Sequence, residues 1–180
     1  VMNNLALAEQ ALGNLGEAEK LLRAAIAAQV KSFGPENYLV GAGLANLGDV
    51  LLSMGRLEPA LESLTRAVSI IEVGVGHDHP ALLTPLRILS GVSVALGRHD
   101  AALEYMRHSV KVGVATARRR RLDIENARDS AQVVHALNGA LYVYSRVIQA
   151  SPERADVLGA EAFEVAQWLT QSVAGRTLAA

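Results

Sequence analysis

His77 and His79, held one residue apart in the stretch Gly76-His-Asp-His79-Pro80, are the side chains of this sequence whose type and spacing most suggest a metal. A tetrahedral site needs further donors close by. His99 sits a helix length away, and the chain has no cysteine, so no metal site is expected. Gly41-Ala-Gly43-Leu-Ala-Asn46 begins like a dinucleotide-binding loop. Asn46 stands where the third glycine should be and no strand precedes it, so no nucleotide cofactor is expected either. Ser, His and Asp are all present, but no serine carries the flanking glycines of a nucleophile elbow. Without cysteine there is no thiolate nucleophile and no disulfide framework. The chain is therefore not expected to be an enzyme and needs no cofactor.

The remaining chemistry is recognition. Arg118 to Arg121 is the one basic run, followed by Asp123, Glu125 and Asp129, which suits a solvated helix end with i,i+4 pairs such as Arg121 with Glu125. No aromatic residues interleave with it and the net charge is −1, so no nucleic-acid partner is expected. Asn46, Asp49 and Ser53 fall on one side of a helical wheel, opposite Leu44, Leu47, Gly48 and Leu51. An amide donates and accepts at once, which suits capture of a peptide backbone. Asn4 occupies the same place as Asn46 in an earlier segment. A later one has Ile88 there, beside Arg87, which can meet a carboxylate.

Those side chains need rigid helices to line them up, and the sequence supplies helices periodically. Gly13, Gly55 and Gly97 are 42 residues apart, as are Ala18, Ala60 and Ala102. The same spacing relates Leu22, Leu64 and Met106, then Ala25, Ala67 and Ser109, then Ile26, Val68 and Val110. Upstream it relates Met2, Leu44 and Leu86, then Leu5, Leu47 and Leu89, and the small residues Ala6, Gly48 and Ser90. Each glycine ends a helix where a left-handed residue costs least. The small columns mark close approach of helix backbones, and the larger apolar columns form a stripe that one hairpin cannot bury alone. Phe33-Gly-Pro-Glu-Asn-Tyr38 and Val75-Gly-His-Asp-His-Pro80 separate the repeats, with Pro80 suited to a first helical turn.

This pattern predicts helices near 2–13, 16–33, 38–54, 57–74, 80–96 and 99–121. Beyond Arg121 the columns stop, Gly139 falls in step with Gly97 by coincidence, and two further helices are expected near 126–150 and 153–175. Ser151 followed by Pro152 reads as the N-cap of the last one. Two parts follow: residues 1–121 as three repeats, and residues 122–180 as an irregular helical pair that caps them or links them to a further domain. Composition agrees, with 51% hydrophobic residues carried by Ala, Leu and Val and only 4% aromatics. No apolar run reaches the length of a membrane span, so no membrane partner is expected. Val1 already lies in a helical pattern, as in a piece of a longer chain. A cytoplasmic location is expected.

The paired helices with small, Leu, Gly and Ala columns over residues 2–121 resemble the tetratricopeptide repeat, and the 42-residue spacing with the Gly76-His-Asp-His79-Pro80 turn resembles its kinesin-light-chain-like form. The resemblance implies an all-α fold: a right-handed α-solenoid of stacked antiparallel helix hairpins, about eight helices in all. It further implies that the first-helix surface lines a concave groove where a peptide or protein partner binds, with Asn4, Asn46, Asp49, Ser53 and Arg87 as the groove residues. The stretch from Ala160 to Ala180 is similar to the helix preceding the caspase-like CHAT domain of bacterial repeat proteins. That similarity implies a larger parent whose cysteine peptidase-like domain, with its His and Cys, lies beyond this chain. The competing expectation is a structural module that self-associates through its solenoid ends and binds no peptide.

Overall fold

A computed structural model describes residues 2–120 and 127–177. The described residues form helices α1 (Met2–Ala11), α2 (Leu15–Phe33), α3 (Tyr38–Ser53), α4 (Leu57–Val75), α5 (Leu83–Ala95), α6 (His99–Arg120), α7 (Ala127–Ala150) and α8 (Ala155–Thr177), with no strand among them. Short 3-10 turns at Pro80–Leu82 and Pro152–Arg154 lead into α5 and α8. The helix ends expected at 121 and 126 lie outside the described residues.

The turn inside each hairpin is the same device used repeatedly. Gly13, Gly55 and Gly97 have φ of +83°, +72° and +70°. Around Gly55 the Arg56 N–H donates to the Leu51 carbonyl at 2.9 Å and the Gly55 N–H to that of Leu52 at 2.9 Å. Arg98 with Ser93 and Asn14 with Glu9 repeat the longer bond. This is the Schellman ending, which satisfies carbonyls that the helix itself leaves unpaired. Between hairpins, Asn37 accepts the Leu39 N–H at 2.9 Å, and His79 accepts the Ala81 N–H through Nδ1 at 3.2 Å. Ser151 departs from expectation: its hydroxyl makes no capping bond. The Pro152–Arg154 turn intervenes before α8, so the helix no longer starts where a Ser151 cap could serve it.

Packing follows the columns. A Cβ on Gly48 would stand 2.5 Å from Cγ of Leu64, so α3 and α4 meet closer than any side chain at 48 permits. Ala6 and Ser90, in the same column, are buried, as are Leu22, Leu64 and Met106 opposite them. Gly41 and Gly43 lie inside α3, where added Cβ atoms would come within 3.0 Å of Ile71 and 2.9 Å of Ile26. Their absence of side chains serves helix packing, not a phosphate.

One apolar core runs from Ala6 on α1 to Val165 on α8, and a smaller cluster of Val40, Leu44, Ala45, Ala67 and Ile70 joins Ile26 and Val30 of α2 to the second hairpin. Each second helix packs on the first helix of the following hairpin, while α1, α3, α5 and α7 also touch one another in sequence. The first helices therefore form an inner layer and the second helices an outer one.

The α7–α8 pair continues this order although the sequence columns have stopped. The buried residues Leu82, Leu83, Leu86, Leu89, Ser90 and Ser93 recur as Ala136, Leu137, Ala140, Val143, Tyr144 and Val147, each 54 positions later and each at most 3% exposed. Gly139 lies in the middle of α7, not at a helix end.

Candidate functional site: the inner surface of the first helices

The sequence-predicted groove residues divide into two places. Asn46 and Asp49 are half-buried on α3 and both reach α1: Nδ2 of Asn46 donates to Oδ1 of Asn3 at 3.3 Å, and Nε2 of Gln10 donates to Oδ2 of Asp49 at 2.7 Å. Ser53 is exposed one turn further on, its hydroxyl donating to the Asp49 carbonyl at 3.0 Å. Asn4 is exposed on α1. The cross-links thus come from Asn3 and Gln10, which pattern reading missed. Asn3 is one position out of the Asn4/Asn46 column, and only the stagger between α1 and α3 puts it in reach.

Arg87 stands apart from that set, between α5 and α7. Its stem lies across Gly139, whose Cβ, if present, would come 2.9 Å from Cγ and 3.3 Å from Cδ of the arginine. Leu83, Thr84, Arg87, Gln132 and His135 line a cavity of about 280 Å³ there. No hydrogen bond or ion pair ties the Arg87 guanidinium to a carboxylate among the described residues. The site therefore presents an arginine, an imidazole, an amide and a hydroxyl together, a set able to hold a carboxylate and unsuited to a cation.

Elsewhere charge is used to fasten helices. Arg107 on α6 makes a two-pronged contact with Glu161 on α8, Nε to Oε2 at 2.9 Å and Nη2 to Oε1 at 2.8 Å, and the Tyr144 hydroxyl of α7 donates to the same carboxylate at 2.9 Å. The Arg107 hydrogen bond holds the Glu161 carboxyl below the usual range against the opposing effect of burial, and Tyr144 helps. Burial first, then the neighbouring carboxylate, pushes the Tyr144 hydroxyl up. Arginines just ahead of three second helices also reach back to the preceding one. Arg56 meets Glu19 at 2.8 Å, Arg98 meets Glu58 at 2.7 Å and Arg154 meets Asp100 at 2.9 Å. Glu19, bonded by Arg23 and Arg56, is likewise held below the ordinary carboxylate range.

The two histidines first considered as ligands diverge. His79 caps the Pro80–Leu82 turn, while Nδ1 of the exposed His77 lies 3.3 Å from Oε1 of Glu72. His108 of α6 closes that contact, its Nε2 2.9 Å from the His77 carbonyl oxygen. Among the described residues no three His, Asp or Glu side chains are grouped to hold a metal. The basic run is described only at Arg118, which is exposed; the side chains of 119–121 lie outside the described residues. No helix among the described residues is long and apolar enough to cross a membrane. On α8, Phe163 is 63% exposed while Trp168 is half-buried against the core.

Residues 1–72 match the tetratricopeptide repeat family model. No curated protein sequence matches the chain. Among solved structures it is similar to BtubC (BKLC) from P. vanneervenii, with a TM-score of 0.70 and 14% identity over 94% of this chain. The chain spans 63% of the length of that protein. It is also similar to the nearly identical TPR-like repeats of a kinesin light chain from Podosopora anserina, at a TM-score of 0.59 and 21% identity, covering 96% of this chain and 92% of that one. A single-substitution form of the latter gives 0.59 and 20%, covering 99% and 95%. The described residues share the α-solenoid fold of these tetratricopeptide-like structures, and residues 1–72 carry the match to the tetratricopeptide repeat model.

Proposed function

We propose that the chain is a non-catalytic interaction scaffold that binds an extended peptide or protein segment along its inner surface. The observation that carries this is Arg87. It is half-buried, seated across Gly139, directed by that seat into an open polar cavity, and free of any carboxylate partner among the described residues. A half-buried arginine that faces an open polar cavity with no acid beside it can take the carboxylate of a ligand. The amides of Asn4 and Asn46 with Asp49 and Ser53 extend the polar surface along α1 and α3 for contact with a peptide backbone.

On this reading residues 1–121 are the three repeats, and residues 122–180 cap them or join them to a further domain, with α7 lending Gln132, His135 and Gly139 to the cavity. The similarity of the Ala160–Ala180 stretch to the helix ahead of CHAT domains supports a larger bacterial parent, cytoplasmic and carrying a caspase-like domain. Reading the gene onward for a His and a Cys in that context tests the parent.

The groove is tested by display selection of random peptides on the purified chain. The expected outcome is enrichment of acid-containing sequences whose binding is lost in Arg87→Ala and weakened in Asn46→Ala. Enriched peptides that bind both variants as tightly as the parent chain, or no enrichment at all, overturn it.

A further inference from the structure

Among the described residues two arginines are half-buried, Arg154 and Arg87. Arg154 holds Asp100 at 2.9 Å. Arg87 holds no acid among the described residues, and no acidic residue lines the cavity it faces. What α5 and α7 bring there instead is a set of donors: the hydroxyl of Thr84, the amide of Gln132 and the imidazole of His135. Thr84 and His135 are exposed, so a ligand reaches them from solvent.

This is more than a carboxylate uses. A carboxylate has two oxygens and a single charge, and a two-pronged guanidinium contact engages both oxygens. A phosphoryl group on a side chain brings three acceptor oxygens and a charge of about −1.5 to −2 near neutral pH. It can meet the guanidinium along one edge and still offer an oxygen to the imidazole, the amide and the hydroxyl. Either neutral tautomer of His135 keeps an N–H to donate.

The surface beside the cavity is bare enough for a backbone to pass. Gly139 has no side chain where the Arg87 stem crosses it, and Gly91, one turn beyond Arg87 on α5, has open space in place of a Cβ. The exposed Asn138, three residues from His135, shares its face of α7 and offers an amide to a passing chain. We propose that the cavity receives the phosphoryl group of a phosphorylated serine or threonine in an extended peptide segment, with Arg87 and His135 on its oxygens. This rests on the reading of the inner surface as a peptide groove and names the acid that the groove takes.

The test uses the purified chain and three synthetic peptide pools with amidated ends and random flanks free of Asp and Glu. The pools differ at one central position, which is phosphoserine, glutamate or serine. Retained peptides are sequenced and their affinities measured by fluorescence anisotropy. Phosphoserine peptides are expected to bind about tenfold or more tighter than their glutamate counterparts, and serine peptides not to be retained. Arg87→Ala is expected to weaken phosphoserine binding about tenfold or more, and His135→Ala to cut the preference over glutamate about threefold. Phosphoserine peptides that bind no tighter than glutamate ones, or a preference that His135→Ala and Gln132→Ala both leave intact, overturn the phosphoryl assignment. Glutamate peptides that still bind through Arg87 in that case leave the groove reading standing, whereas binding that Arg87→Ala does not weaken overturns both. Inorganic phosphate that matches the phosphopeptides in affinity overturns the peptide as its source. Circular dichroism of every variant identifies loss of fold, and an unfolded Arg87→Ala is replaced by Arg87→Gln with the same expectation.

Discussion

The stem of Arg87 on α5 lies flat over Gly139 on α7, close enough that a single methyl group at 139 would collide with it. A glycine in mid-helix ordinarily costs about 1 kcal/mol against alanine. Gly139→Ala is therefore expected to leave stability within about 1 kcal/mol, helix propensity offsetting the displaced arginine stem. Peptide binding at the cavity is expected to fall, because the guanidinium loses its seat. Urea melts together with anisotropy of a peptide selected on the parent chain separate the two effects. Unchanged binding would mean the seat does not matter.

Gly48 poses the opposite case, because its neighbour is rigidly packed. A Cβ there meets Cγ and Cδ2 of Leu64 at 2.5 and 2.8 Å, deep in the core. Gly48→Ala is expected to destabilise the chain by about 1–3 kcal/mol despite the gain in helix propensity. Leu64→Ala alone should cost about 2–5 kcal/mol. The double variant should lose less than the two costs combined, since the new methyl occupies part of the vacated space. Additive losses in a double-mutant cycle would show that the two positions do not share this space.

Gly55 tests the repeated turn. Its φ of +72° is a conformation an L side chain resists, with open space around the position. Gly55→Ala should cost about 1–2 kcal/mol from backbone strain alone. A denaturant midpoint equal to that of the parent chain would contradict this.

The Arg107–Glu161–Tyr144 group makes a pH-dependent contribution with a definite sign. Glu161 is held below the ordinary carboxylate range in the folded chain. Its contribution is therefore complete above that range and is lost as pH falls through the lowered folded value. Tyr144 is raised, so its share is complete below the usual phenol range and declines as pH rises above it. Melting of Glu161→Gln against the parent chain should show the stability gap narrowing in acid, and Tyr144→Phe should cost about 1 kcal/mol near neutrality. A gap that is flat with pH would remove the carboxylate from this role.

The repeat columns determined the hairpins by themselves, because helix, turn and small-residue approach are local and recur at fixed spacing. The glycine turns and the Leu22, Leu64 and Met106 positions needed no coordinates to be found. The fourth hairpin was hidden for a physical reason. Where Ala6, Gly48 and Ser90 are small, α7 carries the large Tyr144, and the turn into α8 is two residues longer, so neither residue type nor spacing repeats. Burial kept the register that the letters lost. Tertiary structure alone decided which polar groups meet: Asn3 with Asn46, Gln10 with Asp49, and the arginines that bridge successive second helices. These partners are about 40 or more residues apart and are brought together by the stagger between hairpins, which no column records. The same stagger sets Arg87 on Gly139, where pattern reading had taken the glycine for a coincidence. Its place in the repeat count is indeed accidental; its lack of a side chain is what seats the arginine.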